Sequence, residues 1–157
     1  MKLLTCAVLA CVVLLPGCGQ GTEPKPKSSN FTADVVGDER ASLSGEAGFV
    51  ITPTAFVITL ASAANRNQVI QFNRLGGAPA AGSYSLAYGP AASGIFVGMY
   101  LGGAQANYVS TDGVLTVTSA SADRISGSFT FAAAGGTTGS AHVSIDGRFD
   151  ARRLAAP

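Results

Sequence analysis

The sequence predicts an all-β fold, an antiparallel β-sandwich or small β-barrel of about nine or ten short strands, and three observations carry that prediction. From Phe31 onward, apolar and polar residues alternate at period two, the spacing of a strand with one face in a core. Clusters of Gly, Asn, Asp, Ser and Pro interrupt the alternation roughly every ten residues, the rhythm of hairpins in a sandwich or barrel. No window in this part of the chain carries an apolar stripe at helical spacing, and the β-branched and aromatic residues fall inside the alternating runs.

The chain opens with a leader. Residues 1–17 place one cation, Lys2, ahead of an uncharged apolar run from Leu3 to Leu15, followed by Pro16 and Gly17. A helical run of about 13 residues spans about 20 Å, short of the roughly 30 Å hydrocarbon core of a bilayer, so it reads as a signal-peptide core and not as a transmembrane helix. Leu15-Pro16-Gly17-Cys18 resembles the lipobox of bacterial lipoproteins, with Pro16 standing where that family prefers Ala, Ser or a β-branched residue. The resemblance implies that diacylglycerol is attached to the Cys18 thiol, that the leader is cut before it, and that Cys18 becomes the lipid-bearing N-terminus. An ordinary secretory signal cut nearby is the alternative reading of the leader. Gly19 follows Cys18, where enterobacterial lipoproteins retained at the inner membrane carry Asp. The resemblance therefore implies a cell-envelope location, at the outer membrane in a Gram-negative host. Cys6, Cys11 and Cys18 are the only cysteines, so the residues beyond the leader have no disulfide, no thiol nucleophile and no cysteine metal ligand.

Residues 18–30 form the lipidated cysteine and a tether. Gly19 to Asn30 contains no large apolar residue, two prolines, two lysines and small polar residues, a composition that cannot offset its own ordering entropy. Twelve residues behaving as a coil have an r.m.s. span of roughly 20 Å, enough to hold a small domain near a membrane. Removing the leader takes Lys2 from ten cations and leaves nine against nine carboxylates, a formal charge of zero. This excludes the basic field that nucleic-acid binding needs, and it leaves acyl chains as the link to membrane lipid.

Residues 31–157 read as a single β-domain. Phe31, Ala33 and Val35 alternate first, then Leu43 to Ile51, then Phe56, Ile58 and Leu60 after Pro53. Val69 to Phe72, Tyr84 to Tyr88, Ile95 to Tyr100, Gln105 to Val109, Val114 to Thr118, Ile125 to Phe131 and Ala141 to Phe149 continue the pattern. The turn clusters are Gly37-Asp38, Asn65 to Asn67, Gly76 to Ser83, Thr111-Asp112-Gly113, Ser121 to Asp123 and Gly135 to Gly139. Eight Phe, four Tyr and no Trp make the core light in aromatic residues, with Ala and Gly filling the rest.

In the order of its short motifs this region resembles small bacterial envelope lipoproteins with single β-domains. The motifs are Gly82-Ser83-Tyr84-Ser85-Leu86, Tyr108 to Gly113 running into Val114 to Thr118, Ile125 to Phe131, and Ile145 to Ala151. The resemblance implies a fold and an address and attaches no activity. Gly127 and Gly147 stand where a strand would place a side chain, and they are read as bulges or tight bends that let the sheet coil.

No residues are assigned a catalytic role. His142, Ser144 and Asp146 fall at alternate positions and project from one strand face, but residues two apart lie roughly 7 Å apart, beyond the reach of a nucleophile for its base. The plain reading is the solvent side of a strand whose other side is Ala141, Val143 and Ile145. Asp38, Glu39 and Glu46 offer a weak oxygen site for calcium without the spaced acids of a calcium loop, so no metal site is assigned. Gly98, Gly102 and Gly103 lack the Lys-Ser/Thr pair of a phosphate cradle. Tyr84, Tyr88, Tyr100 and Tyr108 are the candidate binding surface, because tyrosine combines apolar area with a polar tip. The expectation is a non-enzymatic, membrane-anchored envelope lipoprotein without a cofactor, with a structural or interaction role toward an envelope protein. The alternative is a lipocalin-like or avidin-like barrel holding a small apolar ligand.

Overall fold

The alternation becomes strands throughout the computed structural model, which describes residues 28–87, 95–102, 107–135 and 140–155. Cys18, the leader, most of the tether and Tyr88 lie outside the described residues. The strands in order are β1 (Asn30–Gly37), β2 (Ala41–Ile51), β3 (Ala55–Ser62), β4 (Val69–Leu75), β5 (Gly82–Ser85), β6 (Val97–Leu101), β7 (Tyr108–Ala120), β8 (Arg124–Gly135) and β9 (Ala141–Arg153). Between the two predicted architectures, the fold is the barrel. Eight strands close antiparallel in the ring β1-β2-β3-β4-β6-β7-β8-β9, with β1 pairing back onto β9 from Asn30↔Asp150 to Gly37↔Val143. Closure leaves no long open edge.

Two details complete the ring. The long strand β7 pairs near its start with β6, at Met99↔Val109 and Tyr100↔Tyr108, and farther along with β5, from Ser85↔Val114 to Gly82↔Val117. β5 and β6 therefore share one place in the wall. Where β1 begins, β2 and β9 meet directly in a short parallel pairing at Gly48↔Arg152 and Phe49↔Arg153, and Leu154 N–H donates to the Phe49 carbonyl. The side chain of Leu154 lies over Gly48, filling space that a Cβ would occupy.

The interior is more aromatic than composition implied. All eight phenylalanines point inward, none more than 4% exposed, and each fully buried ring contributes about 1.5–3 kcal/mol. Phe72 meets Phe129 and Phe131 across the barrel at centroid distances of 4.9 and 5.9 Å, while Phe56 bridges Phe49 and Phe96 at 5.6 and 6.2 Å.

Two sequence expectations are corrected. Thr111-Asp112-Gly113 is not a turn: the predicted strands 105–109 and 114–118 merge into β7 through a register shift between Ser110 and Asp112. A bulge takes the same residues as a turn, with Gly113 at φ 147° and its N–H bonded to Asp112 Oδ1. Gly127 and Gly147 are not bulged, since the β8–β9 register runs through both without a shift. Instead Gly127 faces Phe149 and Gly147 faces Phe129. A Cβ on Gly147 would stand 2.6 Å from the Phe129 ring and 2.4 Å from the Thr32 carbonyl, so each missing side chain makes room for a neighbouring ring. The register shift lies next door, on β7 between Val117 and Ser119.

Candidate functional site

The tyrosines do not form one surface. Tyr100 and Tyr108 face each other across β6 and β7, both fully buried, with rings stacked at 5.8 Å. This corrects their placement on a contact surface: alternation puts them in register with the interior phenylalanines. They close one barrel end together with Glu39, which the β1–β2 turn folds inward. Tyr100 Oη donates to Glu39 Oε1 at 2.8 Å and accepts from Gln68 Nε2 at 3.2 Å. The Tyr108 hydroxyl has no hydrogen-bond partner among the described residues. Burial, reinforced by the nearby Glu39 carboxylate, pushes both phenols above the ordinary tyrosine range. Such groups keep their protons at neutral pH.

Tyr84 is half-buried toward the other end. Its hydroxyl donates to the Ala80 carbonyl at 2.8 Å and its ring meets Phe96 edge-on at 5.4 Å. The Arg74 guanidinium lies over both rings at 5.5 and 5.4 Å, covering the aromatic layer with a cation. Sequence reasoning weighed Glu39 only as a calcium ligand and missed Arg74, because a turn carboxylate reads as exposed and a lone Arg near a strand end carries no pattern.

His142, Ser144 and Asp146 are exposed on the outer side of β9, with Val143 and Ile145 buried behind them. The His142 backbone N–H donates to Asp38 Oδ2 at 2.8 Å and its carbonyl accepts from Asp38 N–H, which pins the β1–β2 turn. The three acids weighed for calcium go separate ways: Glu39 inward, Asp38 to His142, and Glu46 to the outer face of β2 opposite Ala61.

What the fold does bring together is a hydroxyl-rich outer face. Cross-strand register aligns Ser44, Thr32, Arg148, Ser128, Thr116 and Ser83 in one row over β2, β1, β9, β8, β7 and β5. The next row runs Ser42, Asp34, Asp146, Thr130, Val114 and Ser85. A groove of about 490 Å³ lies on this face, lined by Thr32, Asp34, Thr116, Ser128, Thr130, Asp146 and Arg148 among others. Asp34 accepts from Ser42 Oγ at 2.7 Å and stands directly opposite Asp146. Near the groove's end, Arg124 grips Asp150 with two bonds of 2.6 and 2.9 Å and donates to the Ser28 carbonyl, fixing where the chain enters the barrel.

The opposite outer face has another chemistry. Val57, Thr59 and Ala61 of β3, Val69, Gln71 and Asn73 of β4, and Val97, Met99 and Leu101 of β6 point outward, half-buried and without one ionised group. The sequence carried this signal unread: from Ala47 to Thr111 there is no carboxylate, and the only charges are Arg66 and Arg74. The ionic outer positions of β1 and β9 are incompatible with a lipid-facing band around the whole barrel. Comparison with known proteins finds no matching family model, no matching curated protein and no matching solved structure.

Proposed function

We infer that this chain is a membrane-anchored envelope lipoprotein whose barrel has a non-catalytic structural or interaction role, exercised from its outer wall. The observation that carries the role is the contrast between an interior filled by eight phenylalanines and an outer groove of hydroxyls, carboxylates and one guanidinium. A groove of that chemistry suits hydrogen bonding to a polar envelope partner such as a protein segment. The anchor rests on Leu15-Pro16-Gly17-Cys18, with Cys18 as the acylated residue. A small apolar-ligand-binding barrel shares the closed architecture, but it needs interior room, and the packed rings weigh against it.

Two measurements test the reading. Cys18→Ser is expected to abolish fatty-acid labelling and membrane retention; a variant still acylated and membrane-bound overturns the anchor. Native mass spectrometry of the mature chain, released from detergent, is expected to give the same mass as the denatured sample. A reproducible excess lost on denaturation would transfer the role to a bound ligand.

A further inference from the structure

At the barrel end that carries the β1–β2 turn, a buried carboxylate meets more hydrogen-bond donors than it uses. Glu39, 9% exposed, points inward from residues 38–40, which belong to no strand. Its Oε1 accepts from Tyr100 Oη, and Gln68 Nε2 donates to the same phenol oxygen, which directs the Tyr100 proton to the carboxylate. Tyr108, stacked on Tyr100, is fully buried with its hydroxyl unpartnered among the described residues. The Glu39 carboxylate lies close enough to that hydroxyl to help hold its proton on, so both phenols border one space. Buried hydroxyls are almost always satisfied, and one left over beside a carboxylate marks a seat its present occupant fills incompletely. That occupant hangs from a hinge. β1 ends at Gly37, whose φ of 137° favours glycine and where a Cβ would meet the His142 carbonyl. Beyond it, Asp38 ties the turn to β9 through its N–H and its Oδ2, and pairing with β2 resumes at Ala41, opposite Val35. Withdrawing Glu39 therefore leaves every strand pairing in place.

We propose that Tyr100 and Tyr108 form a seat for a small carboxylate, and that Glu39 fills it as the chain's own stand-in until a free carboxylate exchanges with it. The inference is independent of the Cys18 anchor and of the outer groove. Two arguments select the ligand class. The donors are neutral hydroxyls in an apolar layer that already accepts one carboxylate, and the space is that of propionate, the Glu39 side chain cut from its backbone. A free carboxylate also gains what the tethered one lacks: it can centre itself between the phenols and take a bond from each, satisfying Tyr108. Against this, Glu39 has the advantage of an intramolecular ligand, so the exchange is a competition.

Propionate tests the seat in the full chain. Glu39→Ala opens it and keeps both phenols, and propionate is then expected to bind saturably and to raise the urea midpoint that the substitution lowered. In the unchanged chain its affinity should be at least about tenfold weaker, because the apparent constant scales with the fraction of seats that Glu39 leaves open. Glu39→Gln keeps the shape with a weaker acceptor, so its affinity should fall between the two; this comparison decides the matter where Glu39→Ala does not fold. Adding Tyr100→Phe to Glu39→Ala should remove most of the rescue, and propionamide, of the same shape without the charge, should bind several-fold less tightly. A folded Glu39→Ala chain whose midpoint propionate leaves unmoved overturns the seat. Equal affinity in the unchanged chain and in either variant places the binding elsewhere and overturns it too. No binding by the unchanged chain at about a hundred times the concentration that saturates Glu39→Ala makes Glu39 a fixed plug and overturns the exchange.

Discussion

The half of the barrel wall built by β3, β4 and β6 and the half built by β1, β8 and β9 follow the same alternation and share one core, yet their outer sides are opposites. One presents Val, Met, Leu, Ala and uncharged polar groups; the other presents Ser, Thr, Asp, Arg and His. Inward positions of both halves are interchangeable in kind, because any strand closing a filled barrel must deliver large apolar side chains. Outward positions owe nothing to closure. A consistent difference there reports what each half faces, and that makes the outer wall the informative part of this molecule.

The comparison breaks most completely where the halves meet. Phe72 comes from the uncharged half and stacks on Phe129 and Phe131 of the hydroxyl-rich half. Phe72→Ala should cost about 3–5 kcal/mol, read as a lower midpoint in urea, and both halves should unfold together. Independent unfolding of one half would mean that the shared core is not what joins them. Gly147 tests the same junction from the other side, since Gly147→Val drives a Cβ against the Thr32 carbonyl and the Phe129 ring. Its expected cost is about 3 kcal/mol, whereas Ser144→Val on the same strand, facing solvent, should stay within about 0.5 kcal/mol.

How much of this was legible follows from what alternation encodes. Period-two patterning marked the strands from Phe31 to Phe149, because each inward residue must be apolar wherever the opposite face is wet. It could not distinguish sandwich from barrel, since closure depends on β1 pairing with β9, residues more than a hundred positions apart. The 111–113 cluster misled because Asp-Gly serves a bulge as readily as a hairpin. Tyr100 and Tyr108 read as surface residues for their polar tips, although Tyr100 stands four residues beyond Phe96, in phase with the inward positions of that run. Glu39 reads from the sequence only as a weak calcium ligand, because nothing local says that a turn carboxylate folds back over a barrel mouth.

That mouth supplies a pH-dependent prediction. Tyr100 and Tyr108 have folded-state pKa values raised by burial and by Glu39, while in the unfolded chain they titrate near about 10. The folded state then holds protons that the unfolded state releases. Their contribution is complete below about pH 10 and is lost as pH climbs from there through the folded values. Stability should therefore fall above about pH 10, with tyrosinate absorbance appearing together with unfolding. Tyr100→Phe removes the bond to Glu39, costing about 1.5 kcal/mol at neutral pH, and should make the alkaline decline shallower. A decline of unchanged slope in the variant would remove Tyr100 as its source.

The smallest expected effect runs the other way and sharpens the contrast between the walls. Asp34 and Asp146 stand directly opposite each other across β1 and β9, a like-charge pair that cross-strand energetics disfavour. Ser42 donates to Asp34 but nothing in that bond neutralises it. Asp146→Asn should therefore stabilise the domain by a few tenths of a kcal/mol in low salt, and the gain should shrink as ionic strength rises. No outward pair on β3, β4 or β6 offers a comparable gain, because that wall carries no such charges. A gain that persists in high salt would point to altered hydrogen bonding at the groove. A gain that salt removes identifies a pair of carboxylates kept together at a cost, on the face where the groove lies.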